Sequence, residues 1–187
     1  MIGNLMKLHL GCGKRYLEGF FHIDIADFPH VDRIHRIDEL EMFESNSVDV
    51  IYSSHSLEYF DRFEALDVLS EWLRVLRPDG QLYVAVPNFR SLAELYLSHN
   101  DLAIVNGPVV GRWAVEGSSE VVYHRSVWDS PTLTGAMLSS GYSDVAEYNP
   151  VEFLGQIDSS YDDHSLAYFP HFDLTGTPIS LCLRATK

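Results

Sequence analysis

The side chains of this chain that could do chemistry fall in short clusters, each at the end of an apolar run. Gly11, Cys12 and Gly13 follow LHL, Asp24 and Ile25 close FFHIDI, and Asp38 follows RIHRI. Ser54, His55, Ser56, Leu57 and Glu58 follow VDVIYS, and Pro87 and Asn88 follow QLYVAV. In open α/β sheets ligands collect outside the carboxyl ends of the strands, so these positions are the ones that can meet a ligand. Glycines let backbone N–H groups approach it closely. A carboxylate at the second strand end can accept two hydrogen bonds from a ribose diol, and a second one at Asp38 can accept from an exocyclic adenine amine. Together they describe a nucleoside site, although Asp38 could equally cap a short helix in DELEMF.

Histidines supply the other chemistry. His55 sits where the fourth run ends, three residues before Glu58, and His124 lies in VVYHRSVW; an imidazole titrates near neutrality and can take a proton. Both also read as ordinary structural groups bonded to nearby backbone. Tyr96 and Tyr123 are candidates for a pocket wall. Cys12 reads as a small buried side chain, since no assisting base stands near it in sequence. The run YDDHSLAYFPHFD gathers Asp162, Asp163, His164, His171 and Asp173 but has no recognised metal-ligand spacing. It reads as a solvated acidic loop that serves as a lid or an oligomer contact, and no metal is expected.

The elements that must position these groups follow from periodicity. Residues 6–10, 20–25 and 33–37 predict short strands, and the near-continuous apolar run at 48–54 predicts a strand buried on both faces. In DRFEALDVLSEWLRVLRPDG the spacing of Phe63, Leu66, Leu69, Leu73 and Leu76 predicts an amphipathic helix, with Asp61 and Glu64 at capping-box spacing and Pro78 and Gly80 as the stop. A strand at 81–88 and a helix at 90–98 follow. Residues 99–127 show no sustained period and read as loop or lid. Ser130 as cap, Pro131 at the first helical position and Gly141 as terminator bound another helix. Strands at 142–148 and 178–186 flank an insertion at 149–177. The alternation predicts an α/β sandwich with a mostly parallel sheet. One connection is abnormal: about nine residues separate the first two runs, whereas a parallel crossover takes a dozen or more. That linker is either a helix reduced to an irregular loop or a hairpin.

Composition bounds the partners. At 187 residues, one compact unit can be stable without disulfides or metal. The net charge of −14, from 27 acidic against 13 basic residues, would repel a nucleic acid backbone and anionic membrane surfaces, though a small anionic cofactor remains compatible with it. Cys12 and Cys182 are unpaired in pattern, and no stretch has the length of a signal peptide core or a membrane span, so a soluble cytoplasmic protein is expected.

At the level of motifs, the chain resembles the class I S-adenosylmethionine-dependent methyltransferases. LHLGCG is similar to their first motif, HIDI to the ribose-binding strand end and IDEL to the adenine-binding acidic turn. VDVIYSSHSLEYF resembles their fourth-strand segment, often written LEH where this chain has LEY, and LRVLRPDGQLYVAVPN resembles the helix, turn and fifth strand. The resemblance spans residues 7–97, and more weakly YHRSVWDSPTLTGAMLSSGYSDV and ISLCLRATK. It is nearest to a group of small predicted methyltransferases, often linked to surface-polysaccharide biosynthesis, that share the shortened first connection.

The resemblance implies a Rossmann-like three-layer sandwich: a mostly parallel seven-strand sheet with an antiparallel last strand and a reduced first helix. It implies one domain, with residues 1–98 as the cofactor half and 99–187 as the acceptor and lid half. It implies S-adenosyl-L-methionine bound by Gly11, Cys12, Gly13, Lys14, Asp24, Ile25, Asp38, Ser54 and His55, with Lys14 or Arg15 facing the methionine carboxylate. The acceptor is expected to be a small molecule or sugar-like, and a homodimer stays open. A hydroxyl acceptor would need a base, His55 or His124, whereas an amine need only be held neutral. Three rivals remain. A nicotinamide oxidoreductase would need G-x-G-x-x-G, and Tyr16 occupies its last position. A non-catalytic cofactor-binding module would keep the sheet and lose the loop, and a fold-mate could transfer another group from the same sulfonium.

Overall fold

The computed structural model describes residues 5–157, 168–169 and 176–187. The Asp and His run at Asp162, Asp163, His164, His171 and Asp173 lies outside the described side chains. Seven strands form the main sheet: β1 (Lys7–Leu10), β2 (Phe21–Asp24), β3 (Arg33–Ile34), β4 (Val48–Ser54), β5 (Leu76–Pro87), β8 (Ser143–Glu147) and β11 (Ser180–Thr186). Their spatial order is β3-β2-β1-β4-β5-β11-β8. The first five pair in parallel, and β11 runs antiparallel to both β5 and β8. The order reverses at β1 and β4, so the carboxyl ends of β1, β2 and β4 open onto one crevice, the place where such sheets take ligands.

The period-2 alternation of the strands sorts two faces. Leu8, Leu10, Ile23, Ile51, Leu82, Val84 and Val86 point into the main core beneath α1 (Glu64–Val75) and α4 (Ser130–Ser139). The buried stripe of α1 is Ala65, Val68, Leu69, Trp72 and Val75; of the expected stripe, Leu69 and Leu76 are buried, Leu66 and Leu73 half-buried, and Phe63 exposed. Trp72 sets that rotation, because it is fully buried and its indole N–H donates to the Ile37 carbonyl at 2.7 Å. Strand β3 ends at Ile34, short of the expected residue 37. Asp61 and Glu64 do exchange the capping-box bonds, each at 3.0 Å. At α4 the cap is Asp129, which accepts from Thr132 N–H at 3.0 Å, so Pro131 is the second helical residue and not the first.

The opposite face carries an unusual row. His22, His9, Tyr52 and Tyr83 are direct cross-strand neighbours through β2, β1, β4 and β5. No helix joins β1 to β2; residues 11–20 form consecutive turns, as the short connection implied. Leu17 and Phe20 from that loop cover the row together with Leu154 of α5 (Pro150–Gly155), which lies inside the expected insertion.

Residues 99–127 are more ordered than their sequence suggested. After α2 (Phe89–His99) comes α3 (Leu102–Val110), capped by Asp101, whose carboxylate accepts from Ala103 N–H at 2.9 Å. A hairpin follows, β6 (Trp113–Ala114) with β7 (Val121–Val122). Gly107 and Pro108 break the sequence period, yet both fit within α3. A short pair, β9 (Tyr168–Phe169) and β10 (Thr177–Pro178), precedes β11. No helix among the described residues is long and apolar enough to cross a membrane.

Candidate functional site

A cavity of about 990 Å³ opens at the carboxyl ends of β1, β2 and β4. That volume is at the upper end of the range for small-molecule sites. Gly11, Cys12, Gly13, Lys14, Asp24, Ile25, Asp38, Ser54, His55, His124 and Tyr123 all line it, so the expected residues converge although they come from both halves of the chain. Tyr96 does not line it and stands exposed on α2.

The glycine loop is built by short-range locks. Gly11 has φ +66°, and a Cβ there would fall inside contact distance of the Ser56 hydroxyl, so only glycine fits. Ser56 Oγ in turn reaches the Leu10, Gly11 and Ser54 carbonyls at 3.2–3.4 Å, joining the ends of β1 and β4. Asp24, 3% exposed, accepts from Gly13 N–H at 2.7 Å and from Ala26 N–H at 2.8 Å, one bond to each oxygen. Burial raises its pKa above the usual carboxylate value, and the amides oppose that shift. Each oxygen retains a lone pair for a diol. Gly13, at φ +54°, has nothing within 4 Å of where a Cβ would stand, so its backbone faces open space.

Cys12 is buried, and desolvation first and the Asp24 charge second push its thiol far above the ordinary value. It is a small buried side chain, as expected. Lys14 Nζ lies 3.9 Å from Glu116 Oε2, between two exposed side chains, a contact of little energetic weight. Asp38 does not cap a helix: DELEMF forms turns, and the Leu40 N–H goes to Glu71 Oε1 at 2.9 Å. Its Oδ2 accepts from Arg36 at 2.5 Å, while Oδ1 is buried with no hydrogen bond among the described residues. An orphaned acceptor lining the cavity suits a donor on a ligand, such as an adenine amine. These features fit a nucleoside cofactor of the expected kind.

The far end of the cavity belongs to the histidines. His55, in the left-handed region at φ +53°, sets Nε2 2.9 Å from Ser180 Oγ and Nδ1 3.2 Å from Glu58 Oε1. His124 sets Nδ1 3.0 Å from the Pro108 carbonyl and Nε2 3.8 Å from the same Glu58 oxygen. Around them stand Tyr59, Trp113, Pro87, Pro108 and Ile179. Burial first and Glu58 second raise the Tyr59 phenol to about 12, which removes it as a base at neutral pH. The hairpin β6–β7 closes over the nucleoside end, where Val115 packs on Ala26 and Phe28. Sequence reasoning missed the contributions of α3 and this hairpin. It had only the Asp101 cap to work from, because Gly107, Pro108, Gly111 and Gly117 obscure the period. Among the described residues no group of His, Cys, Asp or Glu is arranged to hold a metal ion.

Comparison with known proteins agrees with this geometry. Residues 25–84 match a family described as a methyltransferase domain. No curated protein matches the chain in sequence. Among solved structures, an S-adenosylmethionine-dependent methyltransferase from Archaeoglobus fulgidus is 15% identical with a TM-score of 0.59, over 99% of this chain and 87% of that one. One from Methanosarcina mazei is 16% identical with a TM-score of 0.58, over 100% and 94%. The Burkholderia thailandensis 1,6-didemethyltoxoflavin-N1-methyltransferase, solved with S-adenosylhomocysteine, is 13% identical with a TM-score of 0.54, over 97% and 70%. The domain match runs from just after β2 into β5, and the fold around it is the one these S-adenosylmethionine-dependent methyltransferase structures share.

Proposed function

We propose that the protein transfers a methyl group from S-adenosylmethionine to a small-molecule or sugar-like acceptor held between the cofactor loop and α3. The observation that carries this reading is the convergence of Asp24, Asp38, the Gly11–Gly13 loop, His55 and His124 on one cavity. The cofactor supplies an electrophilic methyl on a sulfonium, already a good leaving group. The protein's work is therefore alignment and exclusion of water. Asp24 would accept the ribose diol, Asp38 Oδ1 the adenine amine, and Lys14 or Arg15 the methionine carboxylate. Cys12, Ile25 and Ser54 would form the wall between them. Residues 1–98 would act as the cofactor half and 99–187 as the acceptor and lid half. His55 or His124 would take a proton if the acceptor is a hydroxyl. The acidic net charge argues for a small acceptor over nucleic acid, and two buried cysteines that form no disulfide favour a reducing, cytoplasmic setting.

Thermal unfolding with S-adenosylmethionine, S-adenosylhomocysteine and NAD tests the reading. A ligand at a hundred times its Kd stabilises by about 2.7 kcal/mol. Both sulfur nucleotides are expected to shift the transition and NAD is not, and Asp24→Ala is expected to abolish the shift. No shift with either sulfur nucleotide at millimolar concentration overturns the reading. A second reading, a cofactor-binding module without turnover, is favoured by one observation: with no helix between β1 and β2, no helix N-terminus backs the glycine loop. Cofactor binding without methylation of any acceptor in a broad screen would select it.

A further inference from the structure

Glu58 is the most buried acid of the molecule's chemical end, with a side chain 1% exposed, and among the described residues neither of its oxygens makes a hydrogen bond. Buried carboxylates are normally paired or bonded, so this one needs an explanation. Two histidines flank it, His55 Nδ1 at 3.2 Å and His124 Nε2 at 3.8 Å, both toward the same oxygen. Arg125, the neighbouring cation, is turned away onto Asp61 and Glu64 at 3.3 and 2.6 Å.

A hydrogen bond sets the proton of one ring, and a facing charge favours that of the other. A backbone carbonyl can only accept, so His124 Nδ1, 3.0 Å from the Pro108 carbonyl, carries a hydrogen, and the neutral ring has its lone pair on Nε2. His55 Nδ1 stands 3.2 Å from the carboxylate without a formed hydrogen bond, and the negative charge favours a proton on that nitrogen, with Nε2 then accepting from the Ser180 hydroxyl. The 3.8 Å from His124 Nε2 to Glu58 is too long for a hydrogen bond, so the pair is poised at rest and not closed. Positive charge arriving on the His124 ring would meet Glu58 on one side. On the other it would meet the C-terminal carbonyls of α3, since Pro108 and Val110 accept from its side chain and its backbone N–H. The arrangement is held from the chain itself: the Glu58 carbonyl accepts from Arg125 N–H at 2.7 Å and Ser126 N–H at 3.1 Å, sewing the strand of chain after His124 onto the Glu58 turn.

We infer that Glu58 is a positioning residue that favours the Nδ1–H form of His55 and, facing His124 Nε2, makes it the atom that takes a proton from a hydroxyl acceptor. This inference rests on the methyl-transfer reading above and narrows it to O-methylation. As the acceptor oxygen spends a lone pair on the bond to the methyl carbon, sulfur keeps the pair of the bond that breaks, and the hydroxyl proton moves to His124 Nε2. Glu58 then faces a cation in place of a neutral ring. A neutral amine acceptor would have no use for this device in the methyl-transfer step.

The test is long-range 1H–15N NMR of the imidazoles in the full chain with S-adenosylhomocysteine, comparing wild type with Glu58→Gln. Wild type is expected to show His124 and His55 as Nδ1–H tautomers. In Glu58→Gln, whose carboxamide can donate to Nδ1, His55 is expected to move to the Nε2–H form or a mixture. With a hydroxyl acceptor from a phenol, catechol and sugar panel, Glu58→Gln is expected to lower kcat at least ~10-fold, toward the roughly 100-fold typical of a lost proton acceptor, with KM for the cofactor little changed. A wild-type His124 carrying its neutral proton on Nε2 overturns the inference whether or not the variant folds, and so do unchanged tautomers in Glu58→Gln. S-adenosylhomocysteine binding, measured by calorimetry on the same sample, separates the two claims: no binding sinks the methyl-transfer reading, and binding with the wrong tautomers sinks only the role of Glu58.

Discussion

Leu17 donates its backbone N–H to His22 Nε2 at 2.9 Å, across the connection where a helix would otherwise join β1 to β2. The bond closes the loop onto the strand it leads into. It also orients the His22 ring: with Nε2 accepting, Nδ1 carries the proton, and it lies 3.2 Å from Asp32 Oδ2, which accepts the His22 backbone N–H at 2.8 Å as well. A helix satisfies its own amides; this loop borrows a histidine lone pair instead.

That lone pair makes the loop sensitive to acid. Burial lowers the pKa of His22 below its ordinary 6.5, with Asp32 opposing the shift and His30 adding to it. Above pH 6.5 the ring is neutral folded or unfolded, and the full stability is present. As pH falls below that value the unfolded chain binds a proton that the folded ring refuses, so stability declines until the lowered folded value is reached. Thermal unfolding between pH 5 and 8 should show this slope. His22→Phe, which keeps a ring against Tyr16 but leaves the Leu17 N–H unpaired, should flatten it and cost about 1–3 kcal/mol at pH 7.5. An unchanged slope in the variant would assign the effect to other histidines.

Gly111 holds the second constraint on the histidine end. It has φ +55°, and a Cβ would fall inside contact distance of the His124 ring. Gly111→Ala therefore combines backbone strain with a displaced imidazole and is expected to destabilise by about 1–3 kcal/mol. Cofactor affinity, read by calorimetry, should hold within a few-fold because Asp24 and the glycine loop lie at the other end of the cavity. A variant as stable as wild type would show that the ring moves aside freely.

On the proposed function, Asp24 ties binding to folding. Its two oxygens each hold one amide, Gly13 N–H and Ala26 N–H. Asp24→Asn keeps the shape but turns an NH2 toward one of those donors, which leaves that bond unmade and costs about 1–3 kcal/mol. S-adenosylhomocysteine affinity should fall at least ~10-fold, the equivalent of about 1.4 kcal/mol. Full affinity in a destabilised variant would confine Asp24 to a structural role.

Much of this was legible in the sequence because strand ends are punctuated. Each apolar run stops at a residue whose type announces what the strand end does, so Gly11, Asp24, Asp38 and His55 could be placed on one crevice before any coordinates. His124 was legible as an isolated candidate, but its partners were not: the Pro108 carbonyl and the Gly111 gap depend on α3, whose glycine and proline disguise it. The buried stripe of α1 differs from the expected one because a single residue, Trp72, outweighs the leucines in volume and finds a partner at Ile37. Glu58 was legible with His55 as a candidate at the fourth strand end; that it faces two histidines is a tertiary fact.

The absent first helix leaves a question of coverage, and α5 answers it. The sheet face it would protect carries His9, Tyr52 and Tyr83, half-polar side chains that tolerate a thinner cover than leucine or valine would. Phe153 of α5 stacks on Tyr83 with ring centroids 4.0 Å apart, and Leu154, 1% exposed, packs with Leu17, Phe20 and Tyr52. One short helix from far along the chain thus presses the cofactor loop onto the sheet. Leu154→Ala should remove both the burial and the pressure, at a cost of about 2–5 kcal/mol in unfolding free energy. The informative readout is hydrogen exchange: amides of residues 13–20 should lose protection more than those of α1, which packs on the opposite face. Cofactor affinity should weaken with them, since Gly13 is part of that loop. Uniform loss of protection across the sheet would mean that α5 contributes only global stability, and unchanged exchange at residues 13–20 would mean that the His22 bond holds the loop without it.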